Sequence, residues 1–252
     1  MPIFFQQDID DDIRIAIWKI EEEADFFLKK VQPQRNVTHP HKNLQHLAGR
    51  YLLRHLYPDF PVELILIADT RKPYLENEAY HFSISHCGDF AAAIVSRTCR
   101  VGLDAELYSE KIERIRHKFL TDKELELLNN NSIEVNEEEN LELEMIESKR
   151  QTSNLKSHPD SYRDKLQTNS IPIAIGTNLK LTSAWSCKES VFKWYGKGGV
   201  DFKNHMEIKA SFPYDETAKE QETIILFKKN EELFLHLHSI FFDELCLSYV
   251  IT

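Results

Sequence analysis

Two stretches of the sequence combine residue types and spacings that suit chemistry at a phosphate. Val101-Gly102-Leu103-Asp104-Ala105-Glu106 reads as a strand, whose two-residue alternation puts Asp104 and Glu106 on one face. Val101, Leu103 and Ala105 then point the other way, toward a core, and Gly102 leaves space beside the carboxylates. Trp185-Ser186-Cys187-Lys188-Glu189-Ser190-Val191-Phe192-Lys193 reads as a helix with Glu189 and Lys193 one turn apart on the same side. Asp104, Glu106 and Glu189 supply oxygens for a hard cation; Mg²⁺ usually takes one or two carboxylates with substrate phosphate and water. Lys193 supplies an ammonium for the phosphate. Three neighbouring carboxylates repel one another unless a cation sits among them, which itself argues for one. Each piece alone has a plainer explanation: an exposed strand face, and a surface Glu189–Lys193 bridge worth under about 0.5 kcal/mol. The conjunction points to Mg²⁺-assisted transfer of a phosphate-linked group.

These stretches, with Phe82-Ser83-Ile84-Ser85-His86-Cys87 upstream, resemble the 4′-phosphopantetheinyl transferases of the larger, two-lobed type. That family shows a Gly-x-Asp-x-Glu strand and a Trp-Ser-x-Lys-Glu-Ser/Ala helix running into Lys-x-x-Gly-Lys-Gly, matched by Lys193-Trp194-Tyr195-Gly196-Lys197-Gly198. Residues 82–87 follow its Phe-Asn-x-Ser-His-Ser element with Ser83 for Asn and Cys87 for Ser. Arg71-Lys72-Pro73 stands where the family has Gly/Arg-Lys-Pro, and Ala105 where it favours a larger aliphatic residue. The four elements fall in order over residues 71–200, while 1–60, 129–180 and 205–252 add little.

The resemblance implies an α+β fold: a pseudo-twofold pair of α/β lobes, each a small antiparallel sheet packed with helices. Residues 1–98 would form an N-terminal lobe contacting the coenzyme A nucleotide, and 99–252 a C-terminal lobe with the Mg²⁺ site and catalytic helix. The implied reaction is that of a holo-[acyl-carrier-protein] synthase acting as a monomer. It moves the 4′-phosphopantetheine arm of coenzyme A to a serine of an apo acyl or peptidyl carrier protein and releases adenosine 3′,5′-bisphosphate.

Residue by residue, the resemblance makes Asp104, Glu106 and Glu189 the Mg²⁺ ligands. Lys193 meets the pyrophosphate and stabilises charge on the leaving phosphate. Lys188 cannot share the direction of Glu189 beside it, and is carried over as a phosphate contact from another angle. His86 binds the 3′-phosphate, whose charge would raise the imidazole pKa, while Ser85 and Lys72 contact the nucleotide end. Arg50 and His41-Lys42 fall where relatives carry basic residues reaching the same phosphate, although the usual Lys-Arg pair reads Lys42-Asn43 here. Glu124 aligns with the glutamate proposed to take the serine's proton. It is also the third helical residue of a Thr121-Asp122-Lys123-Glu124 capping box, which alone explains such a glutamate. A water on the metal, Asp104 or Glu106 are the alternative bases. The His39/His41 and His236/His238 spacings resemble metal pairs, with nothing else to support a site there.

Composition narrows the classes. A formal net charge of −10 argues against general nucleic-acid binding. It also opposes an acidic carrier protein, so positive charge must be local, with Lys111, Arg114, Arg116, Lys118, Lys197 and Lys203 as candidates beside Lys193. No run approaches the 18 or more apolar residues of a membrane span. The acidic start (Asp8, Asp10, Asp11, Asp12) has the wrong polarity for a signal peptide, so a cytoplasmic location is expected. Cys87, Cys99, Cys187 and Cys246 form no Cys-x-x-Cys pair, which makes them buried small residues rather than a zinc or disulfide framework.

The elements that must position the site are read from periodicity. Residues 13–30 carry a helical pattern, 44–57 another that stops near Pro58, and 64–67 a buried strand. Residues 81–85, 90–96 and 101–106 suggest a three-stranded meander. A helix follows from about Ser109, then the Thr121-capped helix. Residues 129–179 begin Asn-Asn-Asn, are rich in glutamate, and read as a partly mobile insertion. The motif helix covers 183–195 and stops at Gly196, and alternation at 224–227, 233–237 and 246–250 predicts a second sheet. Two rivals stand beside the transferase: a coenzyme A-binding regulatory module without transfer, and a Mg²⁺ nucleotide hydrolase, for which no Gly-x-x-x-x-Gly-Lys-Ser/Thr loop is present.

Overall fold

A computed structural model of the chain describes residues 3–32, 37–129, 175–213 and 219–252. It is a mixed α+β fold built on two antiparallel sheets. The first takes strands β1 (Ile3–Asp8), β2 (Ile13–Lys19), β5 (His81–Cys87) and β6 (Phe90–Ser96) in the order β1-β2-β6-β5. The second takes β7 (Val101–Leu107), β8 (Met206–Pro213), β9 (Glu220–Lys228), β10 (Glu232–Phe241) and β11 (Leu245–Ile251) in the order β7-β11-β10-β9-β8. A short hairpin pairs β3 (Leu66–Ile67) with β4 (Pro73–Tyr74). The helices are α1 (Ala24–Leu28), α2 (Pro40–Leu56), α3 (Lys111–Phe119), α4 (Asp122–Asn129) and α5 (Ile175–Tyr195).

Alternation along the strands divides the interior into three clusters. Ala16 and Trp18 of β2 face a core with Leu47, Leu52 and Leu53 of α2. Val191 and Trp194 of α5 share another with Ile112, Phe119, Ile225 and Leu237. Between the sheets lies the third, where Ile13, Ile15, Ile17, Ala92 and Ile94 meet Val101, Leu103, Ala105, Leu245 and Leu247. Fully burying one such aliphatic side chain contributes roughly 1.5–3 kcal/mol.

Several expectations need correction. The pattern over 13–30 divides into β2 and the five-residue α1, because Ile13, Ile15 and Ile17 serve the inter-sheet core with period two. The segment after Pro61 is a single 3₁₀ turn, then β3, and only Val62 and Ile65 are buried: Leu64, Leu66 and Ile67 are exposed, Leu64 by 60%. Strand β7 does not complete a meander with β5 and β6, because its backbone pairs with β11 in the second sheet. β8 was not foreseen, and α5 begins at Ile175, eight residues before the predicted start. The expected insertion 129–179 shrinks accordingly: Asn129 ends α4, 175–179 belong to α5, and the remainder lies outside the described residues. No helix among the described residues is long and apolar enough to cross a membrane.

Candidate functional site

Helix α5 lies against β7 and β11 at unusually close range, and small residues make that possible. A Cβ on Gly102 would sit 2.2 Å from the Ser190 carbonyl oxygen and 2.7 Å from Trp194 Cβ, so the space this glycine leaves is filled by the helix. Ser186 donates to the Asp104 carbonyl (3.2 Å) and Ser190 to the Ser248 carbonyl (2.8 Å), while Ser183 donates to Ser239 Oγ (3.1 Å). With its register fixed, the helix turns Glu189 and Lys193 toward Asp104 and Glu106. It ends at Gly196, whose φ of +69° lies in the left-handed region. Thr70 donates to the Gly196 carbonyl (2.9 Å), Lys72 to that of Trp194 (3.2 Å) and Arg100 to that of Tyr195 (2.6 Å). Two cations thus sit at the negative end of the helix dipole.

The sheets meet along β5 and β7 through serine side chains. Leu103 N donates to Ser83 Oγ (3.1 Å), and Ser85 Oγ donates to Asp104 Oδ1 (2.8 Å). Lys193 Nζ donates to the same Oδ1 (2.6 Å) and to Ser85 Oγ (2.8 Å). Asp104 is 3% exposed, and its second oxygen, Oδ2, is buried with no hydrogen-bond partner among the described residues. Glu106 Oε1 accepts from Trp185 Nε1 (3.1 Å). Burial first, and the Asp104 charge second, push both Glu106 and Glu189 up to about 7, against the pull of Lys193. One ammonium is not enough for three carboxylates.

That donor set fits a divalent cation. The orphaned buried oxygen and the two high carboxyls are what a hard, oxygen-seeking ion would relieve. Among the described residues, no group of three or more His, Cys, Asp or Glu side chains is arranged to hold a metal by itself. A cation that completes its shell with water and phosphate does not require one.

Beside the cluster, a cleft of about 210 Å³ is lined by Thr70, Arg71, Lys72, Pro73, Ile84 and Lys193 among others. Burial and the nearby Arg100 bring Lys72 down to about 8. His86 is lowered by burial and then by the charges of Lys42 and Lys193, which leaves a neutral imidazole beside two ammoniums at the end of β5. His41 pairs with Asp89 at 3.0 Å, His236 with Glu222 at 2.8 Å, and His238 stacks on Tyr249.

Three expected ligand or catalytic residues are placed elsewhere. Arg50 is 4% exposed inside the α2 face and hydrogen-bonds His46 Nδ1 at 3.0 Å. Lys188 is fully buried, its ammonium donating to the carbonyls of Phe119 (2.7 Å), Phe202 (2.9 Å) and Met206 (2.9 Å) and to Glu124 Oε1 (2.6 Å). Glu124 is 2% exposed, with Oε1 also accepting from Ile208 N (2.9 Å) and Oε2 from Thr121 N (2.7 Å) and Thr121 Oγ1 (2.9 Å). All its lone-pair directions are used within the protein. The capping box is therefore real, since Glu124 N also donates to Thr121 Oγ1 (3.2 Å). Trp185 and Arg100 were missed as contributors. Trp185 stands one helical turn before Glu189 on the same side, a signal that was present. Arg100 had none, because its partner is a backbone carbonyl distant in sequence.

No curated protein matches the chain. The sequence model of the 4′-phosphopantetheinyl transferase superfamily matches residues 100–250, a span containing β7, α5, and with them Asp104, Glu106, Glu189 and Lys193. The chain belongs to the 4′-phosphopantetheinyl transferase superfamily, and is accordingly a transferase of the phosphopantetheinyl type that uses coenzyme A and acts on carrier proteins.

Proposed function

We propose that the chain is a member of the larger, two-lobed type, with residues 1–98 and 99–252 as pseudo-twofold lobes, acting as a cytoplasmic monomer. The placement of one long helix on each sheet, α2 on the first and α5 on the second, supports that division. Coenzyme A would lie across the β5–β7 seam, its 3′-phosphate toward His86 and Lys42 and its nucleotide end along Lys72 and Ser85. An anion there would counter the burial, and the repulsion from Lys42 and Lys193, that depress His86. Asp104, Glu106 and Glu189 would hold Mg²⁺, which supplies charge neutralisation at the pyrophosphate. Lys193 faces the same region from the helix and stabilises charge on the leaving phosphate.

The carrier serine's hydroxyl oxygen attacks the β-phosphorus of coenzyme A. The bond from that phosphorus to the oxygen bridging toward the α-phosphate breaks, and adenosine 3′,5′-bisphosphate leaves with the electron pair. The hydroxyl proton goes to a carboxylate of the open cluster, Glu106 or Asp104, because Glu124 has no lone pair left to offer. Exposed Lys111, Arg114 and Lys118 on α3 give an acidic carrier a local basic face despite the net charge of −10. The observation that carries this reading is Asp104: one oxygen is shared by Lys193 and Ser85, the other is buried and unpartnered among the described residues, beside two carboxyls pushed up to about 7. Intact mass of an apo acyl or peptidyl carrier protein, after incubation with the protein, coenzyme A and Mg²⁺, tests it. A gain of one phosphopantetheine arm, lost with EDTA, supports transfer. Bound coenzyme A with no gain on either carrier would instead support the regulatory module.

A further inference from the structure

Glu124 and Lys188 form a second acid–amine group under α5, and every hydrogen-bonding direction of both is occupied. The Lys188 ammonium bonds the last residue of α3 (Phe119), two carbonyls after α5 (Phe202 and Met206) and Glu124 of α4. Glu124 in turn bonds the turn before α4 through Thr121 and the β8 backbone through Ile208. The pair therefore ties α3, α4 and β8 to one turn of α5, and the next residue of that turn is Glu189. We propose that Glu124 and Lys188 are a positioning pair for the transfer: they fix the turn that presents Glu189, and by continuation Lys193, to Asp104, and neither touches a reacting atom.

The proposal rests on the transferase reading but has readouts of its own. The variants are Glu124→Gln, Lys188→Met and the double variant, whose two neutral side chains occupy similar volumes and leave no unpaired buried charge. Mn²⁺ affinity by titration, melting temperature, and kcat and KM for phosphopantetheine transfer are measured for each. Each single variant is expected to lower Mn²⁺ affinity about tenfold or more, as for other groups supporting a metal ligand, and to melt earlier. The double variant lacks the same ties but strands no charge, so it is expected to regain melting temperature over the single variants while its Mn²⁺ affinity stays about tenfold or more below that of the unmodified protein. A Glu124→Gln protein that keeps its Mn²⁺ affinity and melting temperature yet loses about a hundredfold or more in kcat would make Glu124 the proton acceptor and overturn the proposal. A folded double variant that binds Mn²⁺ within about threefold of the unmodified protein would overturn it too, even if the single variants do not fold. If the unmodified protein transfers nothing, the transferase reading fails, while the Mn²⁺ and melting comparisons still decide the positioning pair.

Discussion

Helix α5 carries two acid–amine clusters, and they differ in one respect. At Glu124 and Lys188, one carboxylate meets one ammonium, and backbone carbonyls and amides take up the rest. At Asp104, Glu106, Glu189 and Lys193, three carboxylates share one ammonium and one buried oxygen has no partner among the described residues. Composition would not separate them, since each is a set of Glu, Asp and Lys on motif segments. Satisfaction does: a closed group holds the chain together, and an open one has chemistry left to do.

The largest test removes a carboxylate from the open cluster. Glu189→Ala is expected to lower arm transfer by about a thousandfold or more while the protein stays folded, read by carrier mass and by melting. Lys188→Met, in the closed cluster, does the reverse to the fold: it strands Glu124 and is expected to lower stability by about 3–5 kcal/mol in denaturant titration. Gly102→Ala attacks the approach that separates the two clusters. Its methyl meets the Ser190 carbonyl, and a loss of about 2–3 kcal/mol with weaker Mg²⁺ binding is expected.

Proton linkage sharpens the contrast further. Glu106 and Glu189 titrate near 7 when folded against an ordinary 4.5, so between those values the folded state binds more protons than the unfolded chain. Stability of the metal-free protein therefore falls as pH rises from 4.5 through 7, by on the order of 3 kcal/mol for each of the two groups. Melting curves between pH 5 and 8 read this, and Glu189→Gln or added Mg²⁺ should flatten the fall. The smallest effect is at the end of the helix: Arg100→Ala gives up the Tyr195 carbonyl and the contact over the Trp194 ring, about 1 kcal/mol and a melting shift of a few degrees.

The open cluster was legible in the sequence because it is made of side chains at fixed local offsets. Period two sets the face of Asp104 and Glu106, and one helical turn sets Glu189 beside Lys193. The closed cluster was not, since Lys188 finds carbonyls of residues 119, 202 and 206, and backbone partners leave no mark in composition. The His46 contact of Arg50 was illegible for a related reason: a basic residue on a helix looks the same whether it faces solvent or another side chain. The strand assignment failed at Ile13–Lys19, where a short alternation followed by Phe26 and Phe27 imitates a helical stripe. The meander failed at β7 because hairpin order along the chain does not say which sheet takes the third strand.

The aliphatic layer between the sheets bears on any attempt to split the molecule. Cutting the chain after residue 98 would respect every hydrogen-bonded ladder, yet it would strip Ile13, Ile15 and Ile17 from Leu103, Leu245 and Leu247. Two fragments expressed apart would each display a greasy plane and aggregate. Expressed together they would find one another, and catalytic complementation would report the moment at which Ser85 again reaches Asp104.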